Sequence, residues 1–219
     1  YQDKVRLYDE HSYLSMDCLE KVIKEYIDIN ASEQIVFDWH GGEPLLLGLD
    51  YLKKIVEIQR KYRGNKHIYN TIQTNATLLT ADFAAFFKEN NFLVGVSIDG
   101  PQDIHDKFRK DKGGNPTFLK VMRGVELLHR YAVDFNTLTT ISKAGEGRGL
   151  EVYSFLKNIG SHYMQFMPVY EYVDSKNNIG LYTLNVLTMV IIIKNIDIYP
   201  PTIIMLFIEL SILSSRILF

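Results

Sequence analysis

The stretch Phe37-Asp38-Trp39-His40-Gly41-Gly42-Glu43-Pro44 runs out of an apolar segment into two glycines, an acid and a proline. It reads as a strand that delivers backbone to a ligand. Gly41 and Gly42 have no Cβ, so a bound molecule can approach their N–H and C=O groups, and the Glu43 carboxylate can accept from a ligand ammonium. Gly-Gly and Glu-Pro are also ordinary turn punctuation, so the stretch alone leaves a plain strand-to-loop turn in play. Its neighbours decide between the two.

Upstream, Cys18, Leu19, Val22, Ile23, Tyr26 and Ile27 recur at three- and four-residue spacing, which predicts an amphipathic helix over 15–29 with Ser15 as N-cap and Cys18 as a core thiol. Strand, helix and strand follow over 34–39, 50–62 and 67–74. A helix over 80–90 points Phe83, Phe86 and Phe87 inward, and a near-continuous apolar strand occupies 92–98. Next come a polar loop over 99–114, a helix opened by Pro116, a strand over 133–141, a helix over 150–159 closed by Gly160, and a strand over 162–169. Strand and helix alternate about every thirty residues, which argues for successive βαβ units on a parallel sheet. The fold class is therefore α/β, an incomplete (β/α) barrel, and its active site belongs at the C-terminal strand ends. Those ends carry Gly41-Gly42-Glu43, Gln73-Thr74-Asn75, Ser97-Ile98-Asp99-Gly100 and Met164-Gln165-Phe166.

Composition narrows the partners. With 24 basic against 26 acidic side chains there is no global field for nucleic acid or an anionic membrane. The single cysteine, Cys18, excludes an internal disulfide framework and fits a reducing, cytoplasmic setting. The barrel portion is read as 1–170. Residues 171–219 are rich in Ile and Leu without clear periodicity, and their apolar runs suit a membrane helix poorly. An out-of-frame or otherwise non-native continuation is one account of them.

The order Gly41-Gly42-Glu43-Pro44, Gln73-Thr74-Asn75 and Ser97-Ile98-Asp99-Gly100-Pro101, with His105 and Arg109 after it, resembles the radical S-adenosylmethionine (SAM) enzymes. Together with Pro116-Thr117-Phe118 and Met164-Gln165-Phe166 it resembles, more narrowly, the anaerobic sulfatase-maturating enzymes. The resemblance implies SAM and a [4Fe-4S] cluster as cofactors, and a sulfatase Cys or Ser converted to Cα-formylglycine through a 5′-deoxyadenosyl radical. It also implies a peptide or unfolded sulfatase as substrate and a reducing partner such as flavodoxin or ferredoxin. Gly41, Gly42 and Glu43 would hold the SAM amino group, Ser97 its ribose or carboxylate region, and Arg109 its carboxylate by a two-pronged pair. Tyr1 would lie beside the cofactor, and Gln73, Asn75, Met164 and Gln165 would line the cavity where SAM meets the peptide.

Departures accompany the matches. His40 stands where relatives often carry glutamine, and Ala76 where glycine is usual. The CxxxCxxC cluster loop would lie upstream of Tyr1, and the family's C-terminal auxiliary-cluster region is replaced by the Ile-rich tail. The expectation is that this chain by itself does not perform the reaction. Another radical SAM peptide modifier and a non-catalytic SAM- or nucleotide-binding remnant are the rival readings. The histidines, His105 included, are assigned surface or loop roles.

Overall fold

A computed structural model describes residues 14–168 and 203–206. Its elements are α1 (Met16–Ile29), β1 (Gln34–Trp39), α2 (Leu49–Tyr62), β2 (His67–Thr74), α3 (Ala81–Glu89), β3 (Phe92–Ser97), α4 (Gln102–Phe108), α5 (Phe118–Arg130), β4 (Phe135–Ile141), α6 (Gly149–Asn158), β5 (Tyr163–Pro168) and β6 (Ile203–Leu206). The strands neighbour one another in sequence order, and β2 through β6 pair in parallel. That order belongs to a singly wound α/β sheet, the partial-barrel class expected, since a doubly wound sheet reverses its strand order midway.

The chain divides into two compact units, residues 1–37 with 47–69 and residues 38–46 with 70–219. In the first, α1 buries Leu19, Ile23 and Ile27, and α2 buries Leu52, Ile55, Val56, Ile58 and Gln59. Glu20 ties the two helices together, accepting from Lys61 Nζ at 2.7 Å and Tyr62 Oη at 2.6 Å. Lys66 closes the C-terminus of α1 by donating to the carbonyls of Ile27 and Asn30, which have no intrahelical partners. Ser15 caps α1 as expected, its Oγ accepting from Cys18 N at 3.2 Å. Cys18 itself is exposed, so the core-thiol expectation is corrected. The buried stripe is the narrower row Leu19, Ile23 and Ile27, and Cys18, Val22 and Tyr26 fall on its margin.

In the second unit the sheet has two chemically different faces, because side chains alternate along a strand. One face carries Ile72, Thr74, Phe92, Val94, Val96, Phe135, Thr137, Thr139, Met164 and Phe166, all buried. Helices cover it. Phe92 meets Phe86 and Phe87 of α3 with ring centroids 5.6 and 5.3 Å apart, and Phe135 meets His129 of α5 edge-on at 5.2 Å. The other face carries Gln73, Ser97, Asn136, Thr140 and Gln165, each half-buried. β6, paired in parallel to β5 from Tyr163↔Ile203 onward, falls in the segment where no α/β rhythm was expected. The rest of that tail lies outside the described residues.

Two boundaries differ from expectation. The loop read over 99–114 contains α4, whose seven residues include only Ile104 and His105 as buried positions, too short a stripe to show helical periodicity. Helix α5 starts at Phe118 and not at Pro116, because Pro116 forms an isolated antiparallel bridge with Lys110. Asp106 of α4 supplies the cap, its Oδ1 accepting from Thr117 N at 3.0 Å and Phe118 N at 2.9 Å. A carboxylate there also meets the positive end of the α5 dipole.

Helix α5 lies close to the turn after β2. A Cβ built on Gly124 would stand 2.6 Å from the Ala76 carbonyl oxygen and 3.1 Å from the Ala76 Cβ. Replacing Gly124 by Ala gains about 1 kcal/mol of helix propensity and costs about 1–3 kcal/mol of overpacking. Backbone cannot yield as a side-chain tip can, so the upper end of that cost applies. Gly124→Ala is expected to lower unfolding stability by about 1–2 kcal/mol in urea titration; an unchanged or raised midpoint would contradict this packing.

Candidate ligand site at the strand ends

Gly41 and Gly42 leave β1 with φ of +104° and +57°, a backbone that L side chains rarely adopt, and nothing lies within 4 Å of where their Cβ atoms would stand. The two glycines therefore offer an open stretch of main chain. Glu43 beside them is tied to the end of β2. Its Oε1 accepts from Thr74 Oγ1 at 2.6 Å and Leu45 N at 3.1 Å, and its Oε2 accepts from Asn75 N at 2.8 Å. Three of about four acceptor positions are used internally, which leaves one for a ligand donor. Asn75 also commits its Oδ1 to the protein, accepting from Thr77 N and Thr77 Oγ1 at 3.0 and 2.7 Å. The chain turns there through Ala76 at φ +55°, a conformation glycine would adopt without strain.

A second set of contacts organises the end of β3. Asp99 is buried and takes the Arg109 fork, with Nε donating to Oδ2 at 2.7 Å and Nη2 to Oδ1 at 2.9 Å. Thr140 N also donates to Asp99 Oδ1 at 2.8 Å, and Arg109 Nη2 reaches Thr140 Oγ1 at 3.1 Å. His105, fully buried, stands behind this pair. Asp99 N donates to His105 Nδ1 at 3.3 Å, so the other ring nitrogen carries the proton and donates to Thr117 Oγ1 at 3.1 Å. The Thr117 hydroxyl passes the chain on to the Arg109 carbonyl at 2.8 Å. The polar circuit closes on itself.

These contacts correct three expectations. Arg109, expected to pair with a ligand carboxylate, has its Nε and Nη2 held by Asp99, so only Nη1 remains to meet a ligand directly. His105, expected at the surface or in a loop, is a buried member of the circuit. Met164, expected beside Gln165 on a cavity wall, lies on the helix-covered face at 1% exposure, because neighbouring strand residues point to opposite faces. Gln73, Ser97 and Gln165 do share the polar face, where Ser97 pairs with Leu138 and Leu138 with Gln165 across three strands. Tyr1 lies outside the described residues. A small hollow lined by Asp99, Ile104, Thr140, Ser142, Val152 and Phe166 adjoins the Asp99 circuit.

Among the described residues no group of three or more His, Cys, Asp or Glu side chains is placed to hold a metal. A cubane iron–sulfur cluster needs several thiolates, and Cys18 is the chain's single cysteine. The residues present do not fit such a cluster. No helix among the described residues is long and apolar enough to cross a membrane.

Burial pushes the His105 imidazole down to about 4, against a smaller opposing pull from Asp99. In the unfolded chain the same ring titrates near pH 6.5. Between those values the unfolded state binds a proton that the folded state refuses, so this contribution is complete above pH 6.5 and is lost as pH falls toward 4. The loss approaches about 1.4 kcal/mol per pH unit within that window. His105→Asn should remove this component of the slope, and urea titrations at pH 7 and 4.5 should show the stability gap between wild type and variant narrowing as pH falls. Parallel pH curves would contradict the buried neutral ring.

Comparison with known proteins places the chain in a family. The family model described as the radical SAM superfamily matches residues 4–147. A serine-type anaerobic sulfatase-maturating enzyme of Bacteroides thetaiotaomicron is 46% identical over 177 residues, which cover 80% of this chain and 43% of that protein. A cysteine-type anaerobic sulfatase-maturating enzyme of Clostridium novyi is 35% identical over 173 residues, 78% of this chain and 46% of that one. The chain thus spans less than half the length of these curated relatives. Among solved structures, "Native anSMEcpe with bound AdoMet" superposes with TM-score 0.77 at 35% identity, over 86% of this chain and 51% of that one. The same enzyme with AdoMet and the Cp18Cys peptide gives 0.75 at 36% identity, over 82% and 50%. By the family match over residues 4–147, and with a parallel sheet that agrees with it, the chain belongs to the radical SAM superfamily.

Proposed function

We propose that this chain forms the SAM-binding portion of a radical SAM enzyme of the sulfatase-maturating kind, whose parent reaction turns a sulfatase cysteine or serine into formylglycine. The observation that carries the reading is the 46% identity to a serine-type maturase across 80% of this chain. The strand-end geometry supports it. Gly41 and Gly42 present open backbone for the SAM amino group, and Glu43 keeps one acceptor position while holding the β2 end in place. Ser97 and Gln73, on the polar face beside them, would meet the ribose or carboxylate region and the peptide, with Gln165 farther along the same face. Asn75 would act mainly by shaping its turn. Arg109 would act chiefly through Asp99, fixing the loop that follows Ser97.

In the sulfatase-maturating reading the chemistry would need an iron–sulfur cluster as electron source and a reducing partner such as flavodoxin or ferredoxin. The chain's one cysteine does not supply the cluster's ligands. The residues here therefore bind and orient; the electron source must be ligated by others. Reconstitution with iron and sulfide is expected to leave the 219-residue chain without a [4Fe-4S] signal in electron paramagnetic resonance. A strong signal accompanied by SAM cleavage would overturn that division of labour.

Calorimetric titration with SAM tests the site itself. The chain is expected to bind SAM, and Glu43→Gln, which loses the charged acceptor and loosens Thr74 and Asn75, should bind it at least about tenfold more weakly, about 1.4 kcal/mol. Equal affinity in the variant would remove Glu43 from the site, and absence of binding in the unaltered chain would remove the SAM reading.

A further inference from the structure

The polar face holds one group that the reading above does not use. Among the described residues, Asn136 Oδ1 is the buried side-chain polar atom without a hydrogen-bond partner. Its neighbours on β4 show that this fold otherwise satisfies such groups: Thr137 Oγ1 meets Ser161 Oγ at 2.9 Å, and Thr139 Oγ1 donates to the Ile98 carbonyl at 2.7 Å. An acceptor buried without a partner destabilises the fold, and Asn is in addition a poor strand former. An apolar side chain of the same size would suit the bare fold better.

The surroundings of Asn136 point to what it serves. Across the sheet it is in register with Gly95, and Gly95 with Gln73. A Cβ on Gly95 would stand 3.2 Å from Asn136 Oδ1, 3.4 Å from Gln73 Cγ and 2.5 Å from Leu138 Cδ1. Three side chains from two strands thus converge over a residue that has none, and a methyl group there would fill the approach to the amide. By alternation Asn136 shares its face with Leu138 and Thr140, away from the buried Phe135, Thr137 and Thr139. It stands two residues, about 6.6 Å, deeper along the strands than the row of Ser97, Leu138 and Gln165.

We propose that Asn136 is a ligand-binding residue whose amide oxygen accepts from an N–H or O–H donor on the portion of the bound molecule that reaches deepest over this face. This rests on the reading that the polar face takes SAM and a peptide. Either could supply the donor, SAM through a ribose hydroxyl or its adenine amine, the peptide through a backbone amide. Gly95 keeps the path open, and Gln73 flanks the same donor from β2.

The test uses the full 219-residue chain and two variants, Asn136→Leu, with the same number of heavy atoms, and Asn136→Ala, which cannot crowd Leu138. Urea unfolding without ligand is paired with calorimetric titration by SAM, and then by a cysteine- or serine-containing sulfatase peptide in the presence of SAM. Expected is a urea midpoint for Asn136→Leu at or above that of the unaltered chain, with at least a tenfold loss of affinity in both variants. Loss toward SAM assigns the donor to the nucleoside; loss toward the peptide alone assigns it to the peptide backbone. Unchanged affinity for both probes in the variants, or a lowered urea midpoint for both, would overturn the proposal while leaving the SAM reading intact. If the unaltered chain binds neither probe, the functional reading falls and this assignment falls with it.

Discussion

The Asp99 carboxylate is the point on which the strand-end architecture depends. It is buried, and it is bearable there because three donors meet it: both prongs of Arg109 and the Thr140 amide. Unpaired, a charge at that depth would cost several kcal/mol. With its partners in place it joins the loop after β3 to the end of β4 and fixes where Arg109 sits. His105 and Thr117 extend the same constraint to α4 and the start of α5, so the segment from Asp99 to Thr117 is held at both of its ends.

Glu43 has a comparable role at the neighbouring strand, binding Thr74 and the Asn75 amide so that the turn after β2 keeps its form. Both acids sit where a ligand-binding carboxylate would be sought, and both spend most of their hydrogen-bonding capacity on the protein. The consequence for function is a division of roles. In the proposed reading, open backbone at Gly41 and Gly42 and the half-buried side chains of Ser97, Gln73 and Gln165 would meet the ligand, while Glu43, Asp99 and Arg109 hold the strand-end loops in position.

Much of this is legible in the sequence, for physical reasons. The bounds of β1 and β2 follow from polar punctuation flanking apolar runs, and helical spacing places Phe83, Phe86 and Phe87 in the core. The motifs Gly41-Gly42-Glu43, Gln73-Thr74-Asn75 and Ser97-Ile98-Asp99 are placed at strand ends without coordinates. The pairing between motifs is not legible: that Arg109 turns back on Asp99, and that Asp106 caps a helix eleven residues later, are facts of three-dimensional closure. His105 carries no signal of burial, since Ile104 and Phe108 alone in a seven-residue helix make no stripe. For Met164 the signal is strand alternation, which separates it from Gln165 despite their adjacency. Asn136 lies short of the strand end, outside every motif that draws the eye to a ligand.

The most direct check on this account is a double-mutant cycle between Asp99 and Arg109, using Asp99→Asn, Arg109→Gln and the double variant, read by urea unfolding and by SAM titration. If the pair is a brace, the two single changes destabilise the chain and couple by at least about 1.5 kcal/mol in unfolding, with Asp99→Asn weakening SAM binding about as much as Arg109→Gln. Negligible coupling in unfolding, together with a loss of SAM affinity confined to Arg109→Gln, would show Arg109 to be a ligand contact and would contradict the central claim.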